Sequence, residues 1–276
     1  MKIMHEDNLE ELAARIAAYI EYLFSIDLSV SVHFAAESIS RLPYGAWERL
    51  LPYNSHNNPY CLAVKSCTAE ECIAHQRAIR ESSDGRPTVA TCYAGVTEYI
   101  FPIVNGAEAV GYVSISGYRR DSSKAYPRAA HRLADLKSEP IPKPLADTLI
   151  PPLVIMLSEL VKSCEDAEPD EQNLISQYLA ENHTTLTFDN LCSHFSRSRS
   201  YMSHKFAKMF GMSFSAYCNC LRLEDARRLL LLSTRPITEI AFSCGFGDVS
   251  YFIRLFKSAY GVSPLKFRKQ AVTSDK

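Results

Sequence analysis

The chain has 276 residues, of which 47% are hydrophobic and 22% are charged, a balance typical of a globular protein with about two domains. It offers no run of about 18 uninterrupted apolar residues and no basic segment before an apolar core, which argues against a membrane span and a secretory signal. Its nine cysteines are an odd number, which argues against a disulfide framework and favours a reducing cytoplasm.

The net charge of −1 hides an uneven distribution of charge. From Pro169 to Lys276 the chain has 14 Lys and Arg residues against 9 Asp and Glu residues, and the part before it is acidic. A basic part joined to an acidic part is typical of a nucleic-acid-binding module attached to one that avoids nucleic acid.

Helical and strand-like patterns alternate over the first 120 residues. Residues 28–34 alternate like a strand, and residues 67–83 predict a helix that Asp84-Gly85 ends. Asn105-Gly106 predicts a hairpin, because both residues tolerate positive φ. The pattern predicts an α+β domain with an antiparallel sheet. A first helix is predicted from the apolar stripe Leu9, Leu12, Ile16, Tyr19 and Leu23, and further strands from residues 88–92, 99–104 and 110–116.

An apolar helix is predicted from Leu145 to Val161, and its Pro151-Pro152 pair predicts a kink or a restart. This helix has enough apolar surface for a dimer interface, a strut between domains or a core. The acidic, proline-bearing segment after it predicts a boundary, which gives a sensing domain over 1–163, a linker over 164–170 and a DNA-binding domain over 171–276.

From Gln172 onward every segment has a helical pattern, so this domain is predicted to be all-α. Two pairs of short helices predict two helix-turn-helix units. The second helix of the first unit follows the N-cap residue Ser198, and the second unit turns at Gly245, where a helix C-terminus needs positive φ. A long helix from Phe214 to Leu229 joins the two units. Four aromatic residues of the second unit are predicted to pack in its core: Phe246, Tyr251, Phe252 and Phe256.

This part of the sequence resembles the AraC/XylS family of bacterial transcription regulators. The resemblance rests on I-A-F-S-C-G-F-G-D-V-S-Y-F-I-R-L-F-K-S-A-Y-G-V-S-P-L-K-F-R at 240–268, with L-R-L-E-D-A-R-R-L-L at 221–230 and S-R-S-Y-M-S-H-K-F-A-K-M-F-G at 198–211. It implies that two recognition helices enter successive major-groove segments of an operator, ~34 Å apart. RNA polymerase and a second copy of the chain are the further partners expected.

The resemblance also indicates which residues contact DNA. Arg254 suits two parallel hydrogen bonds to guanine, whereas lysines suit phosphates. The family often has Lys after the phenylalanine of the first recognition helix; this chain has Ala207, which leaves the backbone contact to Lys205 or Lys208. The residues implied to face DNA are Arg199, Ser200, Ser203, His204, Lys205, Lys208, Val249, Ser250, Ile253, Arg254 and Lys257.

Several cysteines in the N-terminal part form a loose cluster with a histidine. Thiolate and imidazole are ligands for zinc or iron–sulfur centres, but the spacing has no C-x2-C pair, so buried structural thiols remain the alternative and no metal or cofactor is predicted. The members of the cluster are Cys61, Cys67, Cys72, His75 and Cys92.

The segment from Thr91 to Tyr118 resembles the PocR-type sensory domain, as do Pro59-Tyr60-Cys61 and Cys72 before it. That resemblance implies a PAS/GAF-like fold that binds a small organic effector. Gly117-Tyr118 stands where the family frequently has Gly-Gln. The residues expected to line the ligand pocket are Cys61, Cys92, Tyr93, Glu98 and Tyr118.

These patterns favour a ligand-responsive, sequence-specific transcription regulator. The alternative is a redox- or metal-responsive regulator that senses through Cys61, Cys67, Cys72 and Cys92. An enzyme is not expected: Pro59-Tyr60-Cys61 lacks the Pro-Cys-His-Arg type of motif of an alkyl-acceptor cysteine, and no phosphate-binding loop or paired carboxylates are present.

Overall fold

The computed structural model describes residues 6–56, 58–106, 108–119, 126–233 and 235–274. By its internal contacts the chain divides into two units, unit 1 over residues 1–174 and unit 2 over residues 175–276. The division falls inside a helix, Glu171–Asn182, a few residues after the predicted linker. The boundaries predicted from the sequence remain a prediction.

Unit 1 combines helices with a four-stranded sheet of order β1-β4-β3-β2, in which all three neighbouring pairs are antiparallel. This confirms the predicted α+β domain with an antiparallel sheet. Short 3-10 segments cover Leu51–Tyr53 and Pro127–Asp135. The strands are β1 Ser29–Phe34, β2 Thr88–Thr91, β3 Val96–Asn105 and β4 Glu108–Arg119. The helices are α1 Glu6–Ser25, α2 Ala36–Arg41, α3 Tyr44–Leu50, α4 Pro59–Glu81 and α5 Lys143–Ser163.

The two faces of the sheet differ because apolar and polar residues alternate along its strands. Val30 and Val32 of β1 lie on the same face as Val113 and Ile115 of β4, in the core that α1 and α5 complete. The residues between them, such as Ser31, Ser114 and Ser116, occupy the other face. These polar residues are buried as well, because α4 packs across that face.

Helix α5 continues through Pro151 and Pro152, so the predicted restart is wrong. Among the described helices, α5 alone is long and apolar enough to cross a membrane, judged by length and composition. Its contacts are those of a core helix, since Ile150, Leu153 and Leu157 are fully buried against unit 1.

Unit 2 is helical throughout its described residues. Its helices are α6 Glu171–Asn182, of which residues 175–182 belong to this unit, α7 Phe188–His194, α8 Arg199–Phe210, α9 Phe214–Leu232, α10 Ile237–Ser243, α11 Val249–Tyr260 and α12 Pro264–Ser274. Helix α9 joins two small cores: Cys218 packs in the core of α6 to α8, and Leu223, Ala226 and Leu230 pack in that of α10 to α12. The long connecting helix predicted from the sequence is confirmed.

Candidate functional site

Each pair of short helices in unit 2 is joined by a tight turn of the same design. In the first helix-turn-helix pair, α7 with α8, the N–H of Arg197 donates to the Cys192 carbonyl, and Ser196 takes a positive φ of 51°. In the second, the N–H of Phe246 donates to the Ala241 carbonyl, and Gly245 takes a φ of 85°. Gly245 has a second constraint, since a Cβ there would overlap the Thr184 carbonyl oxygen.

The recognition helices α8 and α11 start and end alike. The side chains of Ser198 and Asp248 cap the two N-termini by accepting from backbone N–H groups. Gly211 and Gly261 end the helices in the left-handed region, with φ of 67° and 77°. Fifty residues separate each residue of α8 from its counterpart in α11, so positions in the two helices compare directly.

The buried stripes of both helices leave one face to solvent. Met202 and Phe206 of α8, and Phe252 and Phe256 of α11, are fully buried. Of the residues predicted to contact DNA, Lys205 and Val249 are half-buried. The others are exposed on α8 and α11: Arg199, Ser200, Ser203, His204, Lys208, Ser250, Ile253, Arg254 and Lys257.

Intramolecular contacts engage two basic residues of the first recognition helix, Arg199 and Lys205. Arg199 forms an ion pair with Asp189 of α7 and lies over the Phe188 ring. Lys205 donates to the Tyr201 hydroxyl at 3.0 Å. The first recognition helix therefore presents two basic side chains that already have partners, whereas Lys208 forms neither an ion pair nor a side-chain hydrogen bond with the described residues.

The second recognition helix presents its charge without such partners. In the described part of unit 2, Arg254 and Lys257 form neither an ion pair nor a side-chain hydrogen bond. The prediction that Tyr251 packs in the core is wrong, because it is 42% exposed and its hydroxyl accepts a hydrogen bond from the Asn219 amide at 2.9 Å. Tyr201, its counterpart, is equally exposed at 43%.

A pocket lies in unit 1 between α4 and the polar face of the sheet. Four of the five residues predicted to line a ligand pocket line this one: Cys61, Cys92, Tyr93 and Glu98. Its cavity volume is about 20 Å³, and the pocket opens to solvent. The remaining lining residues, which sequence patterns did not single out as ligand contacts, are His56, Val64, Lys65, Cys72, His75, Gln76, Ala94 and Val96.

Glu98 lies at the floor of this pocket and is 1% exposed. Its Oε2 accepts a hydrogen bond from Ser114 Oγ at 3.0 Å and lies 3.4 Å from His56 Nε2. Its Oε1 lies 3.7 Å from His75 Nε2, too far for a hydrogen bond. His75 Nε2 is buried and has no hydrogen-bond partner among the described residues.

Burial and neighbouring charges set the protonation of these groups. Burial alone would raise the pKa of Glu98, but His56, His75 and the Ser114 hydroxyl outweigh it and lower the pKa. Burial lowers the pKa of His56, so the imidazole is neutral and the carboxylate ionised near pH 7. Burial also raises the pKa of Cys61 to about 12 and that of Cys92 to about 11.

The structure does not bring Tyr118 to this pocket. Along β3 and β4 the pairing shifts between Thr97 and Tyr99, and Gly117 has a φ of 93°. The shift turns Tyr118 to the α1 and α5 side, where it lines a separate cavity with Thr97 and Tyr99. The strict alternation of a regular strand would have placed it with Ser114.

The structure brings Cys61, Cys72, His75 and Cys92 around one pocket, while the side chain of Cys67 lies outside the described residues. No three His, Cys, Asp or Glu side chains among those described are arranged to hold a metal ion. The described cysteines are free thiols. Cys72 Sγ lies 3.0 Å from the Tyr93 hydroxyl, so one donates to the other.

Comparison with known proteins shows what the C-terminal part of the chain is similar to. Residues 191–270 match a family model described as a helix-turn-helix domain. The regulatory protein PocR of Salmonella typhimurium is 24% identical over 228 residues, covering 70% of this chain and 74% of PocR. The arabinose operon regulatory protein of the same organism is 33% identical over 99 residues, covering 36% of this chain and 34% of the relative. The C-terminal part of the chain is therefore an AraC-type helix-turn-helix domain.

The comparisons cover the two units unequally. The chain spans only about a third of the arabinose regulator, whereas the match to PocR is longer than unit 2 and so extends into unit 1. Among solved structures, the C-terminal domain of the response regulator yesN from Fusobacterium nucleatum is 36% identical, covers 35% of this chain and 96% of that chain, and has a TM-score of 0.34.

Proposed function

We propose that this regulator reads a specific operator with α8 and α11 and that a small organic effector, bound in the pocket of unit 1, controls it. The observation that carries the DNA-reading part is the pair of equivalent recognition helices with exposed polar faces. Arg254 has no competing partner in the described part of unit 2, so its guanidinium is available for two hydrogen bonds to guanine.

The effector part of the proposal is supported by the pocket and by the match to PocR. A concave site with a few converging polar groups and a buried carboxylate is typical of ligand binding. The antiparallel sheet with α4 across one face also supports a PAS/GAF-like fold for unit 1. A cytoplasmic location, contact with RNA polymerase and a homodimer belong to the same proposal.

Two thiols of the pocket, Cys61 and Cys92, favour an organic effector over redox sensing. A redox-reactive cysteine needs its thiolate form at neutral pH. Burial holds Cys61 and Cys92 in the thiol form, since their pKa values are raised to about 12 and about 11. The same argument disfavours Cys61 as an enzymatic nucleophile.

The test of DNA reading starts from duplexes that the wild-type regulator selects from a random pool. Arg254→Ala should bind the selected duplex and a scrambled duplex with a smaller ratio of affinities, losing ~1–3 kcal/mol of discrimination at one base pair. Lys257→Ala is the matched control on the same helix face, and it should weaken both duplexes equally because phosphates carry no sequence information. An unchanged ratio for Arg254→Ala would show that Arg254 does not read a base.

A further inference from the structure

Glu98 gives the pocket of unit 1 a chemical preference. Its carboxylate lies at the floor and is 1% exposed, and an ion removed from water needs hydrogen bonds or an opposite charge nearby. Ser114 supplies one hydrogen bond, to Oε2. Among the described residues, no donor lies within hydrogen-bond distance of Oε1, whose nearest charged-group neighbour is His75 Nε2 at 3.7 Å.

Glu98 Oε1 and His75 Nε2 therefore both lack a hydrogen-bond partner among the described residues. A carboxylate oxygen only accepts, so Oε1 needs a donor. A ligand with several N–H donors supplies one.

The other groups of the pocket set the charge and the size of the ligand. Cys61 and Cys92 are buried or half-buried thiols, and His56 is a buried imidazole, so these three groups are neutral at pH 7. Lys65 is a half-buried cation on the wall and has interactions of its own. The cavity of about 20 Å³ has room for one group about the size of a water molecule or an ammonium, so the rest of the ligand lies in the open mouth.

We propose that the effector is a small primary amine whose ammonium group donates a hydrogen bond to Glu98 Oε1. This inference rests on the proposed effector function of the pocket and adds the class of ligand. The ammonium group places a full positive charge beside Glu98, and a carboxylate ligand is disfavoured by repulsion from Glu98. Charge-assisted hydrogen bonds are about twice as strong as neutral ones, so amines are preferred over alcohols of the same size.

The test uses the full chain and three probes of similar size: ethylammonium chloride, 1-propanol and sodium propionate, each at millimolar concentration. Thermal unfolding of the wild type should shift upward with ethylammonium more than with 1-propanol and not at all with propionate, because a ligand stabilises the state that binds it. Ethylammonium should also change the affinity for the selected DNA duplex.

Glu98→Gln removes the charge and keeps the shape, and it should weaken ethylammonium binding about tenfold or more. Glu108→Gln is the matched control, since it removes one charge from an exposed position of the same sheet and should bind as the wild type does. The wild-type comparison of the three probes stands even where Glu98→Gln does not fold.

The outcomes separate the ligand class from the effector function. If 1-propanol or propionate stabilises the wild type and changes DNA binding while ethylammonium does neither, the amine proposal is overturned and effector control stands. If no probe changes the unfolding temperature or the DNA affinity, both proposals are overturned. An equal response of Glu98→Gln and the wild type to ethylammonium overturns the role of Glu98.

Discussion

The first helix-turn-helix unit, α7 with α8, and the second, α10 with α11, share their turns, caps and buried positions, but the charges on their recognition helices are arranged differently. In the first, Arg199 is paired with Asp189. In the second, Arg254 and Lys257 lack a partner in the described residues. Local hydrogen bonds and a few aromatic residues thus position both helices, and the contacts of the basic side chains decide what each can offer to DNA.

The largest expected difference between the two helix-turn-helix pairs of unit 2 is the effect of a substitution in their turns on stability. Gly245→Ala should destabilise unit 2 by ~3 kcal/mol or more, because it adds both a strained φ and an overlap with the Thr184 carbonyl. Ser196→Gly, at the counterpart turn, should change the free energy of unfolding by no more than ~1 kcal/mol. Calorimetric unfolding of the full chain measures both.

Gly211→Ala separates the two causes. Its φ is positive, at 67°, but nothing lies within 4 Å of the added Cβ, so it should cost only the ~1–2 kcal/mol of the left-handed conformation. A Gly245→Ala cost equal to that of Gly211→Ala would show that contact with Thr184 does not constrain the second turn.

The turns and caps of unit 2 were predictable because they depend on neighbours in the sequence. Ser198, Gly245 and the apolar spacing of α11 are local signals. The exposure of Tyr251 was not predictable in that way, since an aromatic residue at a helix start can pack inward or accept a hydrogen bond from α9. Asn219, its donor, is 32 residues away in sequence.

The pocket of unit 1 was harder to predict from the sequence, because the positions of its residues depend more on tertiary structure. The Asn105-Gly106 hairpin predicts that β3 pairs with β4, and this pairing places Ser114 near Glu98. Alternation along a strand does not tell a face covered by α4 from a solvent face, so Ser114 was not recognised as a partner of Glu98. The register shift that turns Tyr118 away from the pocket was not predictable either, because the alternation of apolar and polar residues gives no sign of it.

A smaller difference concerns phosphate contacts. Lys257 has Ala207 as its counterpart, and both positions are exposed. Ala207→Lys should therefore raise the affinity for every duplex and steepen the dependence of log affinity on log salt by ~0.9, the contribution of one additional phosphate contact. Lys257→Ala should flatten it by the same amount. DNA binding measured at several salt concentrations gives this slope. An unchanged slope in Ala207→Lys would show that α8 and α11 approach the DNA backbone differently.

The smallest difference is the ion pair of the first unit. Asp189→Asn removes a negative charge and releases Arg199, whereas Glu239→Gln removes the equivalent charge from α10, where the partner is Arg235 outside the recognition helix. Both pairs are exposed, so each substitution should change stability by only ~0–1 kcal/mol. Only Asp189→Asn makes an arginine of a recognition helix available, so it should raise DNA affinity more than Glu239→Gln does at low salt, and the gain should shrink as salt screens the charges. Equal gains from the two variants would mean that the removed negative charge alone acts, and that Arg199 stays away from DNA even when it has no partner.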